Sequence, residues 1–232
     1  MQVLVAPAGF DGALRATEVA AAIGRGLEAA GLEPPDLCPV ADGGPGTLEI
    51  LLTRLGGESL AATVGGRDGQ PIDVAFGVVG DGSAAIVELA AVGPGVAGSG
   101  AIGELIAAAA GTGADVVLVA AGGAPTADGG AGAVRAIEAA GGLGRARLVV
   151  LCPMRAHLAS TGRGHGCEPG GIGDALVRTF GATIESGAQF VLDAVGYDPR
   201  MRAARAVIVG EGRLDAGALT GRVLGEAATR AR

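Results

Sequence analysis

The chain has 232 residues, of which 49% are hydrophobic and only 2% aromatic, and its formal net charge at pH 7 is −7. The hydrophobic fraction suffices for one large or two small domains, with cores built from Ala, Val, Leu and Ile. The negative charge and the lack of any basic stripe exclude nucleic-acid binding driven by bulk electrostatics, and the few aromatics argue against base-stacking modules.

Two absences narrow the chemistry open to this chain. The sequence contains no lysine and no asparagine, which excludes a P-loop lysine, a Schiff-base lysine and N-glycosylation. No apolar run reaches the roughly 18–20 residues that a membrane span requires, and no basic segment typical of a signal peptide begins the chain. We therefore expect a soluble, cytoplasmic protein with no membrane partner.

The first sixty residues alternate short apolar runs with amphipathic segments. The apolar run at residues 2–6 predicts a buried strand, and residues 17–30 repeat apolar side chains at helical spacing. A second strand is predicted at 36–40 and a second helix at 46–55. This order is typical of an α/β fold with parallel strands.

The pattern changes near residue 61, where strand-like segments are separated by Gly/Asp turns. Such turns are typical of an antiparallel meander, here predicted at 61–64, 72–79 and 83–88. Strands and helices then alternate again, and residues 160–173 are predicted to form a mobile glycine-rich loop. The remaining predicted strands are 115–120, 147–151 and 206–209. The remaining predicted helices are 103–110, 129–140, 173–180, 187–195 and 218–230.

We therefore predict an α/β fold of mainly parallel sheets with flanking helices. Such folds bind ligands beyond the carboxyl ends of their strands. A first glycine-rich loop, residues 40–47, follows a predicted strand and contains Asp42, Gly43 and Gly44. Its glycines permit close approach of an anion to backbone N–H groups, and Asp42 suits Mg²⁺ or a hydroxyl group. The alternative is a tight turn in which Asp42 caps the next helix.

Two further loops have the same strand–loop–helix context. The second loop, residues 122–132, contains Thr126, Asp128, Gly129 and Gly130. The third loop, residues 210–215, contains Glu211, Arg213 and Asp215 and is followed by Arg222. Its carboxylates and guanidiniums suit a phosphorylated or carboxylated ligand, and a surface ion-pair network is the alternative.

The cysteines carry a weaker signal. Cys38, Cys152 and Cys167 are too few and too scattered to indicate a disulfide framework. His165 and Cys167 form an H-x-C pair near His157, but the second pair that a zinc site needs is missing. We interpret this stretch as a glycine-rich loop with incidental His and Cys, with a metal site as the alternative.

Together, the three loops resemble the glycerate kinase family. The motifs are A-D-G-G-x-G-T near residue 42, G-G-x-x-T-x-D-G-G-A-G near residue 122 and G-E-G-R-L-D near residue 210. Residues 6–12 also resemble the family's A-P-D-S-F-K-G segment, and the resemblance covers nearly the whole chain. It implies ATP-dependent phosphorylation of D-glycerate with Mg²⁺ in two domains. One domain combines residues 1–60 and 205–232, and the other, residues 61–204, is a flavodoxin-like insert.

The resemblance also implies roles for the loop residues. The expected catalytic residues, which position metal and hydroxyl group, are Asp42, Asp128 and Asp215. The expected metal ligands are Asp42 and Asp215. The residues expected to bind phosphate or substrate are Gly43, Gly44, Thr126, Gly129, Gly130, Glu211 and Arg213.

Several charged positions depart from the family pattern. Its Asp, Ser and Lys near the N-terminus are replaced by Ala8, Gly9 and Asp11, and losing one electrostatic partner typically lowers a rate roughly 10²–10³-fold. The other departures are Pro45, Ala127, Gln189 and Arg222. Two hypotheses follow: an active kinase of D-glycerate or a related small hydroxy acid, and a non-catalytic relative that binds a ligand or partner through the same cleft.

The C-terminal end supplies a last expectation. Family members continue for about one strand–helix–strand–helix unit beyond Gly225, whereas this sequence ends at Arg232. One sheet edge is then expected to lack its neighbour. Exposed edges pair with other chains, so the sequence predicts either a homodimer or an unstable protein.

Overall fold

The computed structural model describes residues 2–10, 13–66, 70–93, 98–123, 127–153, 167, 169–214 and 222–232. Within them the strands are β1 (Val3–Pro7), β2 (Asp36–Leu37), β3 (Gly57–Gly65), β4 (Pro71–Val79), β5 (Ala84–Glu88), β6 (Val116–Ala120), β7 (Arg147–Cys152), β8 (Thr183–Ser186) and β9 (Ala206–Gly210). The helices are α1 (Ala16–Ala29), α2 (Thr47–Leu55), α3 (Gly100–Gly111), α4 (Ala131–Ala139), α5 (Ile172–Phe180), α6 (Gly187–Ala194), α7 (Tyr197–Ala203) and α8 (Val223–Arg230), and a 3₁₀ turn spans Leu89–Val92.

The strands form two sheets. A three-stranded parallel sheet has the order β2-β1-β9, and a six-stranded sheet has the order β3-β4-β5-β6-β7-β8. In the larger sheet, β3, β4 and β5 pair antiparallel, and β5 to β8 pair parallel. The predicted α/β architecture and its antiparallel meander are confirmed.

The strands β5, β6 and β7 of the larger sheet are buried on both faces, which explains their continuous apolar sequences. In β6, Val117 and Val119 join the apolar cluster that contains α3 and α4 residues. Leu118, between them, points to the opposite face, where it joins a cluster shared with Leu4 of β1 and Leu51 of α2. Because successive side chains of a strand alternate between faces, a strand covered on both sides must be apolar throughout.

Three short elements were not predicted: β8, α7 and the 3₁₀ turn at Leu89–Val92. Strand β8 has four residues, and α7 has seven. Strand β2 is also shorter than predicted, although the N–H groups of Cys38 and Val40 still donate to carbonyls of β1. The predicted boundary at residue 61 falls inside β3, and the one at residue 205 directly precedes β9.

The cysteine prediction is corrected in one respect. Cys152, at the end of β7, forms a disulfide bond with Cys167, and Cys38 is buried as a free thiol. Spacing alone did not indicate this pair, because the two residues meet only through the fold. His157, His165 and most of the predicted loop at 160–173 lie outside the described residues. No helix in the described ranges is long and apolar enough to cross a membrane.

Candidate functional site

A cavity of about 260 Å³ lies beyond the carboxyl ends of β1 and β9. Ala8 follows β1, Asp42 belongs to the first loop, and Glu211 and Arg213 belong to the third loop; all four line this cavity, together with Arg15 at the start of α1. The parallel order β2-β1-β9 brings these three strand ends to one edge of the sheet. Ligand sites of α/β folds lie at such edges.

Asp42 is the central acid of this cavity. Burial raises its pKa to about 6, against the opposing effects of the Gly44 N–H, which donates to Oδ1 over 3.2 Å, and of Arg222. The nearby Glu211 adds to the rise. A carboxylate with a pKa close to neutrality accepts a proton more effectively than an ordinary Asp and is still mostly ionised at pH 7.

The first loop is held by close backbone contacts. Gly43 has a φ of +93°, and a Cβ atom there would lie 2.6 Å from the carbonyl oxygen of Leu151. A Cβ on Gly122 would lie 2.6 Å from the Cα of Gly44, and one on Gly187 would lie 2.0 Å from the Asp42 carbonyl oxygen. The glycines therefore seat the loop between β7, the second loop and α6, and this packing fixes the position of Asp42.

The first turn of α2 is capped by an acid from another strand. The N–H groups of Gly46 and Leu48 donate to Glu88 Oε2 over 3.0 and 3.1 Å. Burial raises the pKa of Glu88, and these hydrogen bonds oppose the rise. Asp42 therefore does not cap α2, as the alternative interpretation had it. Its Oδ1 accepts instead from the Gly44 N–H within the loop. Sequence reasoning missed this role of Glu88; its one signal was an acid ending an apolar strand.

The second loop uses Asp128 differently from Asp42. Ser99 donates to Asp128 Oδ2 through its N–H (3.1 Å) and its hydroxyl (3.0 Å), Gly132 N–H donates to Oδ2 (3.0 Å), and Gly130 N–H donates to Oδ1 (3.2 Å). Burial would raise the Asp128 pKa, but these bonds outweigh it and lower the pKa. The bonds tie the starts of α3 and α4 together. Asp128 is not among the described residues that line the Asp42 cavity.

Gly129 and Gly130, beside Asp128, form a second close contact. Both have positive φ, and a Cβ atom on Gly129 would lie 2.6 Å from the Gly170 carbonyl oxygen, while one on Gly130 would lie 2.9 Å from the Ile172 Cα. These glycines thus seat α4 against the start of α5. Thr126 and Asp215, also predicted as site residues, lie outside the described part of the chain.

The third loop contributes charged residues to the lining of the cavity. Glu211 has a side chain only 8% exposed, and its Oε1 lies 3.8 Å from Nη1 of Arg222, which also lines the cavity. Arg213 lines the same cavity from an exposed position. The structure therefore places Asp42, Glu211 and Arg213 around one cavity.

The start of α1 adds two charges that the sequence reasoning missed. Arg15 and Glu18 line the cavity, and Arg15 Nη2 lies 2.9 Å from Glu18 Oε1. Arg15 Nη1 also lies 3.6 Å from Glu49 Oε1. The available signal was an arginine where a helix start normally has a small polar residue.

The cavity's donor set fits a hard cation with few protein ligands. Within the described ranges, no three His, Cys, Asp or Glu side chains cluster closely enough to hold a metal alone. Asp42 and Glu211 nevertheless offer two carboxylates to one cavity. Mg²⁺ commonly takes one or two carboxylates and completes its shell with water and substrate phosphates.

Comparison with known proteins gives a consistent result. The model of the glycerate kinase family matches residues 3–146 and 151–232. Glycerate 2-kinase of Escherichia coli K12 is 27% identical over an alignment of 305 positions, covering 96% of this chain and 80% of that protein. Glycerate kinase of Bacillus subtilis 168 is 40% identical over 93 residues, which are 39% of this chain and only 24% of that relative.

A solved structure is similar over the full chain. A glycerate kinase 2 from Salmonella typhimurium LT2 superposes with a TM-score of 0.76 at 26% identity, covering 100% of this chain and 83% of that one. This likeness supports the predicted α/β fold of two domains.

Proposed function

Because this chain belongs to the glycerate kinase family, we propose that it transfers a phosphoryl group from ATP to a hydroxyl group of D-glycerate. The observation that carries the proposal is the convergence of Asp42, Glu211 and Arg213 on one cavity at the carboxyl ends of β1 and β9. Phosphoryl transfer to an alcohol needs a proton acceptor and positive charge near the phosphates, and this small cavity contains an acid with a raised pKa and guanidinium groups.

Asp42 is the proposed proton acceptor. As the substrate oxygen bonds to the γ-phosphorus and the bond to the ADP oxygen breaks, the hydroxyl proton passes to the Asp42 carboxylate. Its pKa of about 6 suits this transfer near neutral pH. The glycine contacts that seat the first loop hold the carboxylate in place.

The guanidiniums of Arg213 and Arg222 supply positive charge. Negative charge spreads over the transferred group in the transition state, so catalysis depends on positioning and electrostatic stabilisation. Arg213 and Arg222 both line the cavity, and Glu211 lies 3.8 Å from Arg222. We propose that Arg213 binds the phosphate or the substrate carboxylate and that Glu211 orients Arg222.

Mg²⁺ is part of the proposal as the partner of ATP. Asp42 and Glu211 would hold it, with Asp215 as a further ligand predicted from the sequence alone. When bound, the ion neutralises phosphate charge. Burial disfavours the Asp42 carboxylate when it stands alone, so a cation in the same cavity would stabilise its ionised form.

The second loop has a supporting role in this proposal. Asp128 accepts four hydrogen bonds from Ser99, Gly130 and Gly132 and thereby fixes the start of α4. We propose that it acts on catalysis by positioning this loop, which touches the first loop where the Gly122 N–H donates to the Gly43 carbonyl over 2.9 Å. Thr126, Gly129 and Gly130 stay predicted phosphate-binding residues.

The proposal also covers location, domain boundaries and oligomeric state. We propose a cytoplasmic enzyme with the domain boundaries predicted from the sequence. A homodimer also stays a prediction: within the described residues β9 pairs only with β1. Light scattering after size exclusion that gives the monomer mass would contradict the dimer.

The test is an assay of ADP release with ATP, Mg²⁺ and D-glycerate. We expect turnover by the wild type and its loss in Asp42→Asn. Asp73→Asn is the matched control, because Asp73 is an exposed acid bonded to Thr63 across β3 and β4. Ligand binding without turnover in the wild type would contradict the kinase proposal and support the non-catalytic hypothesis. Turnover gained only in Asp11→Lys would locate the defect at that position.

A further inference from the structure

Arg15 holds an unusual position at the edge of the cavity. It is the N-cap residue of α1, with an extended backbone at φ −71° and ψ 152°. Its side chain lines the same cavity as Asp42 and Arg213.

Helix physics does not account for an arginine there. N-cap positions favour Ser, Thr, Asp and Asn because a side-chain oxygen accepts a hydrogen bond from the first helical turn. A guanidinium has only donors, so the Arg15 side chain cannot accept the capping bond; Glu18 instead accepts from the Arg15 backbone N–H at Oε2 over 2.9 Å. The positive charge of Arg15 also stands at the positive end of the α1 dipole. Arginine is unfavourable for the helix at this position, yet it lines the proposed site. This combination indicates a role in that site.

The present partners of Arg15 do not lock it. It pairs with Glu18 and with Glu49, and the exposed fractions of the three side chains are 64%, 45% and 34%. Ion pairs this exposed are screened by solvent and contribute little. The guanidinium is therefore held near the cavity but remains available to a stronger acceptor.

We propose that Arg15 binds an oxyanion of the ligand, which is either the substrate carboxylate or a terminal phosphate of the nucleotide. Both groups accept the paired N–H groups of a guanidinium in a bidentate arrangement. Binding would exchange the exposed Glu18 for an oxyanion inside the cavity, which Asp42 and Glu211 also line. This inference rests on the proposed function, because it identifies how that site selects an anionic ligand.

The test compares Arg15→Ser with Arg178→Ser. Serine is a preferred N-cap residue, so Arg15→Ser should unfold at the same or a higher temperature than the wild type. Arg178 is the matched control: its side chain is also 64% exposed, and it pairs with Asp174 over 2.8 Å on α5, outside the cavity lining.

We expect Arg15→Ser to raise one KM about tenfold or more, as the loss of a charge-assisted bidentate contact predicts, with kcat changed less than about twofold. A higher KM for D-glycerate alone identifies the carboxylate, and a higher KM for ATP alone identifies the phosphate. Wild-type values of both KM in Arg15→Ser would overturn the proposal. A lower unfolding temperature with both KM unchanged would assign Arg15 a structural role only.

Binding measurements separate this proposal from the kinase proposal. If the wild type shows no turnover, calorimetric titration with D-glycerate and with ATP tests Arg15 alone. Weaker binding of either compound to Arg15→Ser, with wild-type binding by Arg178→Ser, supports the oxyanion role although the kinase proposal fails. Equal binding by both variants, or no binding of either compound to the wild type, overturns the oxyanion role.

Discussion

The Glu88 carboxylate accepts a hydrogen bond of 3.0 Å from the backbone N–H of Gly46, so an acid at the end of β5 caps the first turn of α2. Side-chain caps satisfy backbone donors that have no partner inside the helix. Together with the bond from the Leu48 N–H, this contact joins the larger sheet to the helix that follows the Asp42 loop. The geometry of the candidate site thus depends on a residue 42 positions farther along the chain.

Replacing Glu88 tests this coupling. Glu88→Ala should lower the free energy of unfolding by about 1–2 kcal/mol, because the N–H groups of Gly46 and Leu48 lose their acceptor. Glu88→Gln should cost less, since its amide oxygen still accepts and burial already disfavours the charge of Glu88. Urea unfolding monitored by circular dichroism gives the values. Exposed Glu28→Ala is the control, and equal midpoints for Glu88→Ala and Glu28→Ala would refute the capping role.

Gly43 offers a test of the packed first loop. Gly43→Ala should destabilise the protein by about 1–3 kcal/mol or more and reduce activity, because its φ of +93° is unfavourable for alanine and the new Cβ would meet the Leu151 carbonyl at 2.6 Å. The matched control is Gly31→Ala, which has a φ of +81° but no heavy atom within 4 Å of its Cβ.

The difference between these two variants measures mainly the steric contact, since both glycines have a similar positive φ. Thermal unfolding and the ATP assay should both separate them. If Gly43→Ala were no less stable than Gly31→Ala, the close contact between the first loop and β7 would be wrong.

The Cys152–Cys167 disulfide predicts a dependence of stability on reductant. The bond closes a loop with a sequence separation of 15, and loops of this size contribute about 3 kcal/mol by restricting the unfolded chain. Adding dithiothreitol should therefore lower the urea midpoint of the wild type. A Cys152→Ala/Cys167→Ala double variant should be insensitive to the reductant. An unchanged wild-type midpoint would show that the bond is absent in solution.

Local patterns predicted those elements whose structure depends on their own residues. The helices at 17–30 and 46–55 and the strand at 115–120 were predicted to within two residues of α1, α2 and β6, because amphipathic spacing and continuous apolar runs are local signals. Strand β8 has no such signal. It exists because it pairs with β7 in the register Val150↔Ile184, a contact between distant parts of the chain.

The same distinction holds in the candidate site. Asp42 and Glu211 follow strands, and parallel pairing brings strand ends together, so their proximity was predictable from the order of elements. The side chain that bonds to Asp128 is that of Ser99, 29 residues earlier, and no motif links the two. The capping role of Glu88 and the position of Arg15 likewise depend on packing between elements, which the sequence motifs do not encode.

The raised pKa of Asp42 predicts how activity depends on pH. If Asp42 accepts the substrate proton, it must be ionised, so kcat/KM for ATP with Mg²⁺, which reports the enzyme before the ion binds, should rise through about pH 6 and level off above it. Asp42→Asn should lower kcat roughly 10²–10⁴-fold, the usual contribution of a general base, and remove this rise from the residual activity. The relevant range is about one pH unit on either side of that pKa, from pH 5 to pH 7. A wild-type profile with no inflection in this range would contradict the role of Asp42 as proton acceptor.

The contribution of Asp42 to stability should fall as the pH rises, whereas its contribution to activity should increase. Because folding raises the Asp42 pKa from 3.8 to about 6, the folded state binds this proton more tightly than the unfolded state. The associated stability is fully present below about pH 4 and is lost as the pH rises through about 6. Asp42→Asn, which cannot ionise, should therefore gain stability relative to the wild type between these values as pH increases, and Asp73→Asn should not. Urea midpoints at pH 4, 5, 6 and 7, spanning the two pKa values, measure this difference.

If Mg²⁺ with ATP binds beside Asp42, adding both should favour the ionised carboxylate and shift the wild-type transition to lower pH. The Asn variant, which has no charge to stabilise there, should show no such shift.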